Sequence, residues 1–175
     1  VFARAQLSCW YPPMPGAWRQ DPAQSGGGSL MDMGGHCIDL LEMFFGPVRT
    51  VSCFTHRTVH HYASEDSAVV SLRFASGALG SFMLSDSAAS ARSWEQTSQE
   101  NKAYPSYDDE DCYTVCGTHG SLAIPTMRIK TYPRDADRSW WKPFEVGVVG
   151  MVRDDPIKQQ MEHFGAVVRG EATPV

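Results

Sequence analysis

The sequence lacks the signals of several large protein classes. No apolar run approaches the length of a transmembrane helix. Basic residues are outnumbered, 15 against 20 acidic ones, which gives a net charge of −5. This balance argues against nucleic acid or an anionic membrane as a partner, because both bind basic surfaces. The five cysteines are odd in number and form no C-x-x-C pair, so reduced thiols in a cytoplasmic protein are predicted.

Common catalytic motifs are also missing. There is no G-x-S-x-G elbow, no H-E-x-x-H motif and no G-K-[ST] phosphate loop. Gly26 and Gly28 match the first two positions of the dinucleotide fingerprint G-x-G-x-x-G, but Met31 occupies the third. We therefore expect these glycines to turn the chain tightly into a helix, and we expect no dinucleotide-binding motif within this chain.

No metal site is predicted. His56 and His60 are four residues apart in a predicted strand, which places their backbones about 13 Å apart. Asp32 and His36 have helical spacing suited to a divalent ion, but a third ligand is not evident. The acidic run 108–111 predicts a solvated surface, because clustered carboxylates repel one another unless an ion offsets them.

Composition predicts one folded domain over residues 1–175, with 42% hydrophobic and 20% charged residues. The chain begins in an apolar segment without an initiator Met and stops just after a predicted helix. We therefore expect a piece of a longer protein with a truncated C-terminal end.

Hydrophobic patterning predicts several strands and two main helices. The helices are expected from about Ser29 to Phe45, ended by Gly46-Pro47, and from an N-cap at Asp155 to Gly170. Runs of hairpins with few helices indicate an α+β fold, a mainly antiparallel sheet covered by helices on one face. The predicted strands are 2–10, 48–60, 67–74, 79–84, 112–116 and 122–132.

The most informative stretch runs from Gly26 to Asp39. On a continuous helix, Asp32, His36 and Asp39 fall within about 60° of arc, opposite an apolar stripe. The polar face carries no Lys or Arg, which is unusual for a face that only meets solvent. Gly34 on the apolar side suggests close packing on a sheet, and Gly35 on the acidic side suggests that something approaches the backbone there.

A structural explanation of the same residues remains open. Ser29 and Asp32 have the spacing of a capping box, in which Asp32 would only bind backbone N–H groups. Asp39 is more simply a structural or surface acid. Trp18 and Arg19 could contact a phosphate or carboxylate, or could be a surface Arg beside a core Trp.

The order of motifs resembles the second domain of the Gfo/Idh/MocA oxidoreductases. The core of the resemblance is Asp32-x-x-x-His36-x-x-Asp39, preceded by the triple glycine and by the segment 18–22. Weaker matches are 94–97, 117–122, 155–156 and 169–171, so the resemblance covers most of the chain.

The resemblance implies a glyceraldehyde-3-phosphate dehydrogenase-like C-terminal domain whose open sheet face joins subunits into a homo-oligomer, a dimer or tetramer. It implies NAD or NADP as cofactor, bound mainly by a dinucleotide-binding domain that is absent here. A sugar or polyol is the implied substrate. Asp32 and His36 carry over as catalytic residues, with His36 as the acid/base and Asp32 as its partner. Trp18, Arg19 and Asp39 carry over as substrate contacts, and the segment 85–111 is placed near the pocket.

Three functions remain open. The first is the substrate-binding and oligomerising domain of a dehydrogenase, inactive by itself because the cofactor domain and its catalytic lysine are missing. The second is a non-catalytic sugar-sensing or assembly module of the same fold. The third is redox-assisted glycoside cleavage, in which the net reaction differs but the cofactor is retained.

Overall fold

Eight strands form one open sheet in the computed structural model, which describes residues 1–14, 16–100 and 102–174. Their order across the sheet is β2-β3-β4-β1-β5-β6-β7-β8, and all neighbours are antiparallel except β1 and β4. The strands are β1 Phe2–Ser8, β2 Val48–His56, β3 Ser67–Phe74, β4 Leu79–Ser85, β5 Tyr113–Cys116, β6 Gly120–Ile124, β7 Arg128–Thr131 and β8 Glu145–Val148.

One face of the sheet carries the core. Side chains alternate along β1, β3 and β4, and every second one is buried, as the period of a strand requires. Phe74, Phe82 and Leu84 are almost completely enclosed, and each contributes about 1.5–3 kcal/mol by leaving water. The predicted α+β fold, with a mostly antiparallel sheet, is confirmed.

In the described ranges five α-helices accompany the sheet: α1 Pro22–Ser25, α2 Ser29–Asp32, α3 Gly34–Phe45, α4 Trp94–Thr97 and α5 Pro156–Val168. The main covering element is α3, which buries Cys37 and Leu41 against the sheet core. Leu30 on α2 packs against the same core, and α2 lies beside β3 and β4. The beginning of this helical layer is therefore fixed over the middle of the sheet.

The helix predicted from Ser29 to Phe45 is interrupted at Met33, which separates α2 from α3. Gly34 follows the break, and a Cβ placed there would lie 2.9 Å from Leu30 Cδ1 and 3.7 Å from Leu84 Cδ1. The near atom belongs to the Leu30 side chain of α2, whereas 3.7 Å to Leu84 on β4 is an ordinary van der Waals contact, so the missing side chain relates mainly to the packing of α3 against α2. Met33 keeps right-handed helical backbone angles, φ −109° and ψ −26°, so the break is a distortion of one residue between α2 and α3.

Two predicted strands are too long. The first ends at Ser8 rather than Trp10, although Trp10 still forms an isolated bridge with Ser87. The second ends at His56 rather than His60, and the chain then folds back so that the His60 side chain is only 2% exposed. Periodicity missed this change because the loop buries its aromatic residues through contacts distant in sequence. The predicted strand 122–132 is two strands, β6 and β7, and β8 was not predicted.

The other face of the sheet is open. Phe54, Val69 and Met83 are direct neighbours across β2, β3 and β4, and they are 79%, 48% and 40% exposed.

Helix α5 is also uncovered, since it has no buried residue. Asp155 caps this helix as predicted, because its side chain accepts hydrogen bonds from the N–H groups of Ile157 and Lys158. None of the helices in the described ranges combines the length and apolar character that crossing a bilayer requires.

Candidate functional site

The candidate site lies at one end of the sheet, where several chain segments meet. Because β1 and β4 are parallel, they end side by side, with Ser8 paired to Ser85. Strand β3 begins at the same edge, with Ser67 paired to Ser85. The residues just after β1 and β4, just before β3 and at the beginning of α2 therefore come together there.

Glu65 holds the beginning of α2 in place. Its Oε1 accepts hydrogen bonds from the backbone N–H groups of Gly28, at 2.9 Å, and Leu30, at 3.1 Å. Its backbone carbonyl accepts a third from the N–H of Ser29, at 3.2 Å. A Cβ at Gly28 would lie 2.1 Å from that carbonyl oxygen, so only glycine fits. Glu65 therefore supplies the cap that a capping box would have assigned to Asp32.

Asp32 is consequently available for another role. Its Oδ1 lies 3.3 Å from Nε of Arg19, and the two side chains are about half exposed. The Arg19 guanidinium also lies over the ring of Trp18, with Cζ 4.7 Å from the ring centroid. Trp18 is 51% exposed, so the alternative of a core Trp is wrong.

Two adjoining cavities share the Arg19–Asp32 pair. The first, about 60 Å³, is lined by Arg19, Asp32 and a set of polar and aromatic residues: Tyr11, Gly28, Ser29, Met33, Tyr62, Ser64 and Asp86. The second, about 280 Å³, is lined by Trp18, Ser25, Gly27, Gly28 and Met31 together with the same pair. Both volumes lie below the roughly 300–1,000 Å³ of a typical small-molecule pocket.

His36 and Asp39 lie on the exposed side of α3. Within the described residues, neither lines one of the two cavities and no hydrogen bond or ion pair joins His36 to Asp32. Gly35, beside His36, has no atom within 4 Å of the position where a Cβ would stand. The space that the sequence associated with Gly35 is therefore open on this chain.

Asp86 is a site residue that the sequence analysis missed. It follows the last residue of β4 and lines the cavity of Arg19 and Asp32. Its Oδ1 lies 3.6 Å from Nε2 of His60. Burial raises the pKa of Asp86 to about 6, with Asp66 and Glu65 adding to the rise and His60 opposing it. A polar residue directly after a buried strand was the available signal, but only the fold shows what it faces.

The segment 85–111 contributes to this site mainly through Asp86. Further along, Trp94 packs edge-on against Tyr113 and donates from Nε1 to Glu100, 2.8 Å away. Trp94 lines a separate cavity of about 880 Å³ beside Arg153. The resemblance placed the whole segment near the pocket, whereas the described residues show only its beginning there.

Ion pairs and burial account for the acidic run and for Cys112. Arg92 pairs with Glu110 and Arg128 with Asp111, so ion pairs accompany the acidic run. No group of three potential metal ligands occurs within residues 1–14, 16–100 and 102–174. Burial raises the pKa of the Cys112 thiol to about 11, which makes it a poor nucleophile.

The N-terminal two thirds of the chain match a family model. The model describes the GFO/IDH/MocA C-terminal domain and matches residues 1–123. The chain belongs to the Gfo/Idh/MocA family. No curated relative matches it.

Solved structures share the fold of this Gfo/Idh/MocA domain at low sequence identity. Levoglucosan dehydrogenase in complex with NADH and levoglucosan superimposes with a TM-score of 0.67 at 18% identity, over 99% of this chain and 50% of that one. Aldose-aldose oxidoreductase from Caulobacter crescentus, complexed with glycerol, gives 0.65 at 20% identity, over 99% and 47%. WlbA dehydrogenase from Bordetella pertussis, in complex with NADH and UDP-GlcNAcA, gives 0.63 at 19%, over 99% and 44%. The chain spans about half the length of these structures.

Proposed function

We propose that this chain is the substrate-binding and oligomerising domain of an NAD(P)-dependent oxidoreductase. The reaction would transfer a hydride between the nicotinamide and a hydroxyl or carbonyl carbon of a sugar or polyol. The observation that carries the proposal is the Arg19–Asp32 pair, which borders two cavities while Glu65 caps α2 in place of Asp32. A carboxylate that the fold does not need, placed beside a guanidinium at a cavity wall, suits substrate hydroxyls.

The beginning of α2 offers no free pair of N–H groups to a dinucleotide phosphate. The N–H groups of Gly28 and Leu30, which a phosphate at the beginning of α2 would require, already bond Glu65. The proposal therefore assigns the cofactor to a separate dinucleotide-binding domain of a longer protein. When bound there, the nicotinamide supplies the hydride acceptor or donor.

His36 is proposed as the acid/base. An exposed imidazole beside the open space at Gly35 can take the proton of a substrate hydroxyl as the hydride leaves. Asp32, fixed by Arg19, orients the substrate through its remaining oxygen. Trp18 and Asp39 are proposed as peripheral contacts.

Two further properties belong to the proposal. The open row of Phe54, Val69 and Met83 supports association of subunits through the sheet face, because apolar side chains exposed together are typical of interfaces. A cytoplasmic location is supported by the five cysteines, none of which is in a disulfide.

The test compares the full-length protein with its parts. We expect the full-length protein to reduce NAD or NADP with a sugar or polyol, and we expect the isolated chain to be inactive. In the full-length protein, His36→Ala should lower kcat at least 100-fold while the circular dichroism spectrum is unchanged. Unchanged turnover in His36→Ala would exclude His36 as the base. Reduction of NAD or NADP by the isolated chain would contradict the assignment of cofactor binding to a separate domain.

A further inference from the structure

Asp86 stands on the wall of the smaller cavity without an assigned role. It shares that wall with Arg19 and Asp32, and with the hydroxyl-bearing rings of Tyr11 and Tyr62. The side chain is 17% exposed, so most of the carboxyl group is enclosed while part of it reaches the surface. A cavity of about 60 Å³ has roughly the volume that two water molecules occupy in liquid water, which suits one hydroxyl-bearing corner of a substrate.

Both the N–H and the carbonyl group of Asp86 are hydrogen-bonded to neighbouring segments. The Asp86 carbonyl oxygen accepts from the Tyr11 N–H at 2.7 Å and lies 3.2 Å from His60 Nε2. Its N–H donates to the Asp66 carbonyl at 3.2 Å. Oδ1 is buried and has no hydrogen-bond partner among the described residues. Oδ1 is enclosed beside His60, so the exposed 17% of the side chain, and not Oδ1, is the part that a ligand in the cavity can reach.

Asp66 provides a useful contrast. It is 1% exposed, and its Oδ2 accepts from the N–H groups of Val59, at 2.9 Å, and His60, at 3.3 Å. Asp66 therefore shapes the loop that follows β2. Among the described residues the Asp86 carboxylate accepts no hydrogen bond from that loop, although Oδ1 of Asp66, like Oδ1 of Asp86, is buried without a partner.

His60 holds Asp86 in position. Its ring is enclosed between Trp10, with centroids 5.2 Å apart, and Tyr62, stacked at the same distance. The enclosed ring brings Nε2 to 3.6 Å from Oδ1 of Asp86, which limits the movement of the carboxyl group. The position of the carboxyl group is therefore determined before any ligand arrives.

We propose that Asp86, positioned by His60, is a second carboxyl group of the substrate cavity and accepts a hydrogen bond from a substrate hydroxyl beside the Arg19–Asp32 pair. This inference rests on the proposed function and deepens it by assigning a substrate contact outside the helix that carries Asp32 and His36. Among the described residues, the titratable groups around Asp86 are Arg19 and Asp32 on the same cavity wall, together with His60, Asp66, Glu65, Tyr62, Tyr11 and Cys9.

The test uses the full-length protein with D-glucose, levoglucosan and sorbitol as probes. With the best of the three, we expect Asp86→Ala to raise KM at least 10-fold, whereas Asp86→Asn, which can still accept the bond, recovers most of the loss. In the wild type, KM should fall as the pH rises through about 6, because the ionised carboxylate is the stronger acceptor. Asp86→Asn should lack this pH dependence, and the exposed Asp109→Ala should behave as wild type.

Several results would overturn the proposal. An unchanged KM in Asp86→Ala, or an equal rise in KM for NAD(P), would exclude a substrate contact. If Asp86→Ala does not fold, Asp86→Asn is used alone. Loss of the wild-type pH dependence of KM in Asp86→Asn then supports the contact, and an unchanged pH dependence refutes it. If the wild type oxidises none of the probes, the proposed function fails for these substrates. The carbon-13 signal of the Asp86 carboxyl group then decides separately: a shift on adding D-glucose supports the contact, and no shift refutes it.

Discussion

Nε of Arg19 and Oδ1 of Asp32 lie 3.3 Å apart, and this ion pair joins the 3₁₀ turn Trp18–Gln20 to the last residue of α2. Both side chains are about half exposed, so the pair adds little to stability, since exposed ion pairs contribute about 0–1 kcal/mol. The pair borders two cavities, and this position is the basis for proposing it as a substrate contact.

Replacing Arg19 should separate activity from stability. We expect Arg19→Gln to lower kcat/KM of the full-length protein by 10-fold or more, because Asp32 loses the cation that positions its side chain and offsets its negative charge. The free energy of unfolding in urea should change by less than about 0.5 kcal/mol. Arg134→Gln, which breaks an exposed pair with Asp137, is the matched control and should retain full activity. A large loss of stability in Arg19→Gln would instead indicate a structural pair.

Gly35 offers a second separation of activity from stability. A Cβ at Gly35 has no neighbour within 4 Å, and alanine favours a helix over glycine by up to about 1 kcal/mol. We expect Gly35→Ala to unfold at higher urea concentration but to lose activity, if a ligand approaches the backbone there. Gly28→Ala should be destabilised, because its Cβ would collide with the Glu65 carbonyl. Full activity in Gly35→Ala would show that no ligand needs this space.

The raised pKa of Asp86 predicts a specific pH dependence of stability. Folding raises this pKa from 3.8 to about 6, so the folded state binds the proton more tightly than the unfolded chain. The resulting stabilisation is complete below about pH 4 and is lost as the pH rises through 6. Asp86→Asn removes the titration. The free energy of unfolding in urea is measured for the variant and the wild type at both pH values. We expect the difference, variant minus wild type, to be about 1–2 kcal/mol more positive at pH 8 than at pH 4.

The open sheet face predicts the effect of a charge at its centre. Phe54 is 79% exposed, so Phe54→Asp should leave the folded chain intact, yet a charge would be buried if two such faces associate. We expect sedimentation of the full-length protein to change from an oligomer to a monomer. Thr118→Asp, in the exposed turn between β5 and β6, is the control and should sediment as wild type. An unchanged oligomer in Phe54→Asp would place the interface elsewhere.

Local patterns were sufficient for much of the fold. Alternation predicted β3 within its observed bounds, and the Asp155-Pro156 cap predicted where α5 begins. These features depend on residues near one another in the chain. The break at Met33 and strand β8 depend instead on packing against the sheet and on pairing with β7, which local patterns do not show.

The sequence by itself determined the fold class and the helical stretch that carries Asp32 and His36, because side-chain periodicity depends on residues near one another in the chain. The resemblance of its motifs indicated the family. Only the tertiary structure decided that Glu65 caps α2, across 37 residues, and that Asp86 meets His60, across 26. The parallel pairing of β1 with β4 brings these distant segments to one edge of the sheet. No local preference records that pairing, so the second carboxyl group of the cavity is visible only in the folded chain.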